Sequence, residues 1–246
     1  LERYSHHFKK NGDNVAGCYS GLIKAGAADN LETRLAAIRQ VIIEENGYCG
    51  DERSDDIRRH DIIHAIDTRR GAPIILAVLC IDAARRQGWQ ADGLNIPGRF
   101  VVRLDDGGQR LICDPCDNCR ILQAADLRAF IKDTLGDNAE LSTRYYEPVD
   151  NRAILVLLQN QIKHRQIGIE DYQGALDTVE ATMCVAPDEY RLWLDAGVLY
   201  DRTGQPERAV VMLEKYVTRA PQNRDRQEAA LLLQQLRRSL DQGADG

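Results

Sequence analysis

The sequence predicts an α+β domain over residues 1–145 followed by an all-α tail over residues 146–246. Three observations predict it. An apolar, helix-length run, "APIILAVLCI", starts just after Gly71; three strand-like runs follow it directly; and the last third turns to helical periodicity with a repeat of about 34 residues. A chain of 246 residues is long enough for two separate cores. Hydrophobic residues at 43% and charged residues at 28% place it among globular proteins rather than disordered or fibrous ones. A formal charge of −6 gives no electrostatic reason to expect nucleic acid or an anionic membrane as partner. No apolar run approaches the roughly 18 residues of a membrane span, so a core helix is expected for "APIILAVLCI".

From Asn30 the apolar positions Leu31, Leu35, Ile38, Val41 and Ile42 are spaced for one buried helical face. "ENGYCGDERSDD" interrupts them, and a second helix is expected near Asp56 to Thr68. Gly71 and Pro73 mark a break and a fresh start, because proline is tolerated in the first helical turn, where its missing N–H would have had no partner. The central helix is expected from Pro73 to about Gln87, ending at Gly88. Strands are expected at Gln90–Ile96, Arg99–Leu104 and Gln109–Asp114, the last two joined by the hairpin signal "DDGG". Helix returns at about Ala124 to Leu135.

The tail reads "WLDAGVLYDRTGQPERAVVMLEKYVTRAP", with Trp193, Gly197, Tyr200, Gly204, Ala209 and Pro221. These positions resemble the tetratricopeptide pattern of two helices per repeat, with Ala196 standing where the pattern has Leu. Ala175, Ala186 and Pro187 recur at Ala209, Ala220 and Pro221, which implies an earlier, weaker repeat whose first helix lies near Arg152 to Arg165. A closing helix is expected near Arg224 to Leu240. Stacked helical pairs imply a partner of protein or peptide nature.

The ordered blocks "ENGYCG" and "RRGAPIILAVLCIDAARRQGWQADGLNIPGRFVVRL…LICDP" resemble the transglutaminase-like superfamily, in its bacterial branch with C-terminal tetratricopeptide repeats. The resemblance covers most of the chain and implies a papain-like core, with the central helix on a small antiparallel sheet. In active members a Cys opens the central helix, a His follows on the strands and an Asp precedes a Pro at a strand end. That order serves the chemistry: the helix N-terminus lowers the thiol pKa, the imidazole takes the proton and the carboxylate orients the imidazole. Here the matching positions hold Pro73, Arg99 and Asp114. Proline has no nucleophile, and arginine stays protonated and cannot act as a base. Losing a single triad member already costs on the order of 10⁴ in rate, so the protein is expected not to be an enzyme and to need no cofactor. Arg99 and Asp114 are expected to form an ion pair, or else an anion site with the free N–H groups of the central helix. Cys80, further along that helix, reads as a small core residue.

"LICDPCDNCR" leaves alternatives open. Strand alternation sends Cys113 to the face opposite Asp114, with Cys116 and Cys119 in the following loop. Their spacing admits a metal site completed by Cys18, Cys49, Cys80 or a histidine, a redox-sensing site, or ordinary thiols. His60 and His64 are one helical turn apart beside Asp56 and Asp61 and read as a solvated face, as does the charged series "ERSDDIRRHD". His6 and His7 show no pattern. Seven scattered cysteines and no secretory signal lead to the expectation of a reduced, cytoplasmic protein, and an opening at Leu1 without Met suggests an earlier segment. The leading reading is a non-catalytic domain carrying a protein-interaction or scaffold tail, with a thiol enzyme built on a rearranged centre as its rival.

Overall fold

The computed structural model describes residues 2–51 and 56–244 and divides into two compact units, Leu1–Ile154 and Leu155–Gly246. The first unit opens with α1 (Glu2–Lys24) and α2 (Leu31–Ile38), the latter started by Asn30, whose side-chain oxygen accepts from the Thr33 N–H at 2.9 Å. A π-helical turn, Arg39–Glu45, extends α2. Next come β1 (Cys49–Gly50), a 3-10 turn (Ile57–His60), α3 (Ile62–Thr68) and β2 (Arg70–Gly71), with β1 and β2 paired in parallel.

Helix α4 (Pro73–Arg86) is the predicted central helix, with Pro73 in its first turn. Its residues Ile74–Ala77, Leu79–Ile81, Ala83 and Ala84 are buried. At roughly 1.5–3 kcal/mol for each fully buried Ile or Leu, this helix is the main apolar support of the unit. It packs on β3 (Gln90–Ile96) and β4 (Arg99–Asp106). The sheet continues through β5 (Gln109–Asp114) and β6 (Arg120–Ile121), antiparallel throughout in the order β3-β4-β5-β6. The sequence reading expected three strands; a two-residue strand such as β6 is too short to carry alternation. Gly107 and Gly108 both hold positive φ, 59° and 109°, which the two-residue hairpin between β4 and β5 requires.

Three consecutive residues of β4, Phe100, Val101 and Val102, are buried, so both faces of the sheet are covered. Helix α5 (Ala124–Leu135) sets Leu127 and Ile131 against Leu94, Ile96 and Val101, and Gln123 and Asp126 form a reciprocal cap at its start. A 3-10 turn at Thr143–Tyr146 follows, then a bridge between Val149 and Gly93. That bridge holds residues beyond 145 to the first unit, which explains why the unit runs past the boundary read from sequence.

Two sequence expectations need correction. The helix expected over Asp56–Thr68 is divided, because Asp61 is extended at φ −92° and ψ 119° and caps α3 instead of continuing it. His60 therefore does not share a solvated face with His64: it lies in the 3-10 turn and is buried, 3% exposed. Part of the series "ERSDDIRRHD", residues 52–55, lies outside the described residues. Helix α1, part of the N-terminal lobe expected to be helical, has Asn11, Gly12 and Val15 as its buried residues. Gly12 sits where an added Cβ would come within 2.5 Å of Arg86 Cδ, and Gln87 Nε2 donates to the Gly12 carbonyl at 2.8 Å.

The second unit takes up the chain within α6 (Asn151–Gly168) and continues through α7 (Tyr172–Val185), α8 (Tyr190–Arg202), α9 (Pro206–Arg219) and α10 (Arg224–Ala244). Trp193, Ala196, Tyr200, Ala209, Leu213 and Tyr216 form its core with Ala175 and Leu176 of the preceding pair. Gly197 lets α8 approach α9, since a Cβ there would lie 2.7 Å from Leu213 Cγ. Gly204, at φ 73°, makes the turn between these helices. No described helix in either unit is long and apolar enough to cross a membrane.

Candidate functional site

The region that would carry thiol chemistry is built from the start of α4 and the ends of β4 and β5. At the α4 start, Pro73 supplies no side-chain nucleophile and no backbone donor. The Ile75 N–H already donates to the Ala72 carbonyl at 2.8 Å, and the Leu76 N–H reaches the same oxygen at 3.3 Å. Those donors are thus spent inside the helix, which weighs against the anion site considered from sequence.

Arg99 and Asp114 meet. Arg99 Nε lies 2.9 Å from Asp114 Oδ2, while the Cys116 N–H donates to Asp114 Oδ1 at 2.9 Å. Asp114 is fully buried and the Arg99 side chain is about one-fifth exposed. The cation also lies over Phe130 of α5, 5.2 Å from the ring centroid. Register explains the meeting: Val102 pairs with Cys113, so Arg99, Val101 and Asp114 fall together on the face that carries α5. A guanidinium donates and cannot accept, so this pair orients and neutralises a carboxylate without giving it a base to steer.

The cysteines group differently from their spacing in the sequence. Cys113 on β5, Cys119 in the following turn and Cys80 on α4 are all buried, and Cys113 and Cys80 are the neighbours that most affect the Cys119 thiol. Their thiols, aided by the charge of Arg39, lower the Cys119 pKa against the opposing effect of burial. The neighbouring Cys119, followed by burial, pushes Cys80 and Cys113 up. Cys80 is 1% exposed, the core position that the apolar helix suggested. Cys116, the middle member of the sequence triplet, points elsewhere: its Sγ lies 2.8 Å from where a Gly50 Cβ would stand. Among the described residues no group of three or more His, Cys, Asp or Glu is arranged to hold a metal ion.

A further polar cluster was invisible in sequence. His7 Nε2 is 2.6 Å from the Tyr48 hydroxyl and 3.2 Å from Asn11 Nδ2 and Arg69 Nη1. Partial burial and the neighbouring Arg69 charge lower the His7 pKa. Its members come from α1, the loop before β1 and the residue after α3, so no local spacing announces them.

The second unit offers an open groove of about 500 Å³. Ile167, Leu194 and Val198 supply apolar surface, and Asp195, Asp225 and Glu228 supply carboxylates. Lys163, almost buried, holds Asp195 at 2.5 Å and Asn160 at 3.0 Å.

Comparison with known proteins agrees with this architecture. A UPF0162 protein of Xylella fastidiosa (strain Temecula1) is 29% identical over 194 residues, 76% of this chain and 68% of the relative. A UPF0162 protein of Vibrio cholerae is 24% identical over 191 residues, 77% of this chain and 71% of the relative. One of Pseudomonas aeruginosa is 26% identical over 146 residues, 59% and 53% of the two chains. No solved structure matches. A tetratricopeptide-repeat model matches residues 162–237, and the model of the transglutaminase-like superfamily matches residues 14–160. With more than half its length inside that match, the chain belongs to the transglutaminase-like superfamily.

Proposed function

We propose that this is a cytoplasmic, non-catalytic member of its superfamily, in which the repeat tail binds a protein or peptide and the first unit serves as a scaffold. The observation that carries the first half is the Arg99–Asp114 pair at 2.9 Å, together with Pro73 at the head of α4. The carboxylate that would orient an imidazole is engaged by a permanent cation, and the helix that would present a thiolate presents a proline. The protein supplied with glutamine-containing acyl donors and a primary amine, or with activated esters, is expected to turn over no faster than the buffer background. Turnover above background that is abolished by Cys116→Ala would instead establish a rearranged thiol centre.

For the second half, the groove of the tail supports a segment that combines apolar and basic side chains, matching Leu194 and Val198 on one side and Asp195, Asp225 and Glu228 on the other. Val198 is 37% exposed, so Val198→Glu leaves the helix packing alone while placing a charge on the apolar floor. Partners recovered with the wild-type chain are expected to lose about tenfold or more in affinity for this variant, roughly the 1.4 kcal/mol that one desolvated carboxylate opposite apolar surface exceeds. Unchanged affinity, at unchanged helical content, would move the interaction away from the groove.

A further inference from the structure

Beyond the interaction role, helix α1 carries a histidine in a polar setting that scaffolding does not call for. His7 Nε2 lies 2.6 Å from the Tyr48 hydroxyl, 3.2 Å from Arg69 Nη1 and 3.2 Å from Asn11 Nδ2. A guanidinium has no acceptor atom, so Nε2 meets Arg69 as an acceptor and the neutral ring carries its proton on Nδ1. Arg69 Nη1 also donates to the Tyr48 hydroxyl at 2.5 Å, which leaves the tyrosine proton for His7. The relay runs one way, from Arg69 through Tyr48 to His7. Tyr48 is only 1% exposed, and the Arg69 cation lies over its ring, 4.8 Å from the centroid. Arg69 holds a left-handed φ of 62°, uncommon for a residue with a side chain, and its carbonyl accepts from the Cys49 N–H at 3.0 Å. His7 thus docks on a fixed partner.

A second proton on the ring would sit on Nε2, where its neighbours already present hydrogens, and would set a cation 3.2 Å from a permanent one. The surroundings offer it no relief. On α1 itself Arg3, His6 and Lys10 add positive charge, as Arg69 does from beyond α3. On α3, Asp67 already holds Arg3 at 2.9 Å and the Tyr4 hydroxyl at 3.2 Å, and Asp61 acts on Tyr4. The other elements packed on α1 meet it further along: Arg86 of α4, paired with Asp82, stands at Gly12, Glu44 and Glu45 of the π-helical turn act on Cys18, and Arg34 of α2 is held with Tyr19 by Asp29. Among the described residues no carboxylate is paired with His7.

We propose that His7 is a proton-sensitive latch: neutral, it fastens the first part of α1 to Tyr48 and Arg69, and protonated, it releases that part while the rest of α1 stays packed. The helix is divided in the way this needs. None of residues 2–10 is buried, and besides His7 their polar ties are the exposed Arg3–Asp67 pair and the Tyr4 hydroxyl on the same carboxylate, contacts of a kind that contribute little alone. From Gly12 onward the helix is anchored, by Gln87 Nε2 on the Gly12 carbonyl at 2.8 Å and by the fully buried Val15. Partial burial and the surrounding positive charges lower the His7 pKa, so the latched ring takes a proton less readily than a released one. The latch is therefore whole above the ordinary histidine value of 6.5 and is lost as pH falls from there through the lowered value of the latched ring.

The test uses the full chain and hydrogen exchange at the amides of residues 6–11, with labelling times scaled for the chemical effect of pH and the β4 and β5 amides as internal reference. Between pH 7.5 and 5.5 the open population of this segment is expected to rise at least about twofold relative to the reference, with a ceiling of about tenfold, the most that a released imidazole of pKa 6.5 can contribute over that interval. His7→Gln keeps a side-chain acceptor for the Tyr48 hydroxyl but does not titrate, so its exchange should be the same at both pH values, while His6→Gln should follow the wild type. The His7 Cε1 proton, followed by NMR in the wild-type chain, should titrate below 6.5, a readout that needs no variant. A smaller rise in the wild type, an equal rise in His7→Gln, or a His7 midpoint at or above 6.5 would overturn the proposal.

Discussion

Replacing Arg99 with Met is expected to destabilise the first unit by about 3 kcal/mol, the scale on which removal of one partner from a buried ion pair is felt. Asp114 is fully buried, and its carboxylate keeps the Cys116 N–H but loses the cation 2.9 Å away. The loss has a second part, because the guanidinium also covers Phe130 of α5. Arg99→Lys should recover only part of the stability: an ammonium restores the charge but neither the planar stack nor the fork that reaches around a carboxylate. The double change Arg99→Met/Asp114→Leu should lie nearer the wild type than Arg99→Met alone, since an apolar pair of similar size leaves no buried charge behind. Hydrogen exchange at the β4 and β5 amides reads this unit separately from the helical tail, and the thermal midpoint of the unit should fall by roughly 6–12 °C in Arg99→Met. A single variant within about 0.5 kcal/mol of the wild type would show that the pair does not hold these strands together.

The same pair illustrates what can be read from one sequence. Asp114 before Pro115, Arg99 after the Pro97–Gly98 turn and Pro73 after Gly71 each sit beside a local punctuation mark, so their elements could be placed and their meeting inferred from strand register. The limits of α5 and the β4–β5 hairpin were likewise legible, because capping and two-glycine turns are local chemistry. The bounds of helix α1 were not read, although Phe8, Val15 and Leu22 recur at seven-residue spacing on the face that buries Asn11 and Gly12. The placement of the cysteines was legible only in part. Two residues separate each of Cys113, Cys116 and Cys119 from the next, yet Cys113 and Cys119 are buried while Cys116 lies against Gly50. Spacing in sequence registers neighbours along the chain; it carries no information on which way a strained turn faces. His60 failed for a related reason, because the extended Asp61 breaks the helical turn that would have aligned it with His64.

In the tail, Leu213→Ala is expected to cost about 2–5 kcal/mol, a large share of what a domain of this size has to spare. Leu213 is fully buried, and its side chain fills the space that the absent Cβ of Gly197 leaves between α8 and α9. Cutting it back removes the apolar contact that Leu213 makes at Gly197 and leaves a cavity between α8 and α9. The complementary change, Gly197→Val, should destabilise by overpacking against the same side chain and against the Leu213 backbone N, 3.4 Å from an added Cβ. Both variants disturb one contact from opposite sides, so combining them tests the mechanism. The added valine methyls occupy part of the volume that Leu213→Ala vacates, and the double variant should be less destabilised than the sum of the singles. Hydrogen exchange along α8 and α9 measures this, with the β3–β5 amides of the first unit as internal reference. Strict additivity would mean that the two residues act independently, and that the close approach of α8 and α9 is not what Gly197 provides. If instead the singles are both costly and the double partly restored, the groove bordered by Leu194 and Val198 owes its shape to that approach, since both residues project from the helix that Gly197 allows to settle against α9.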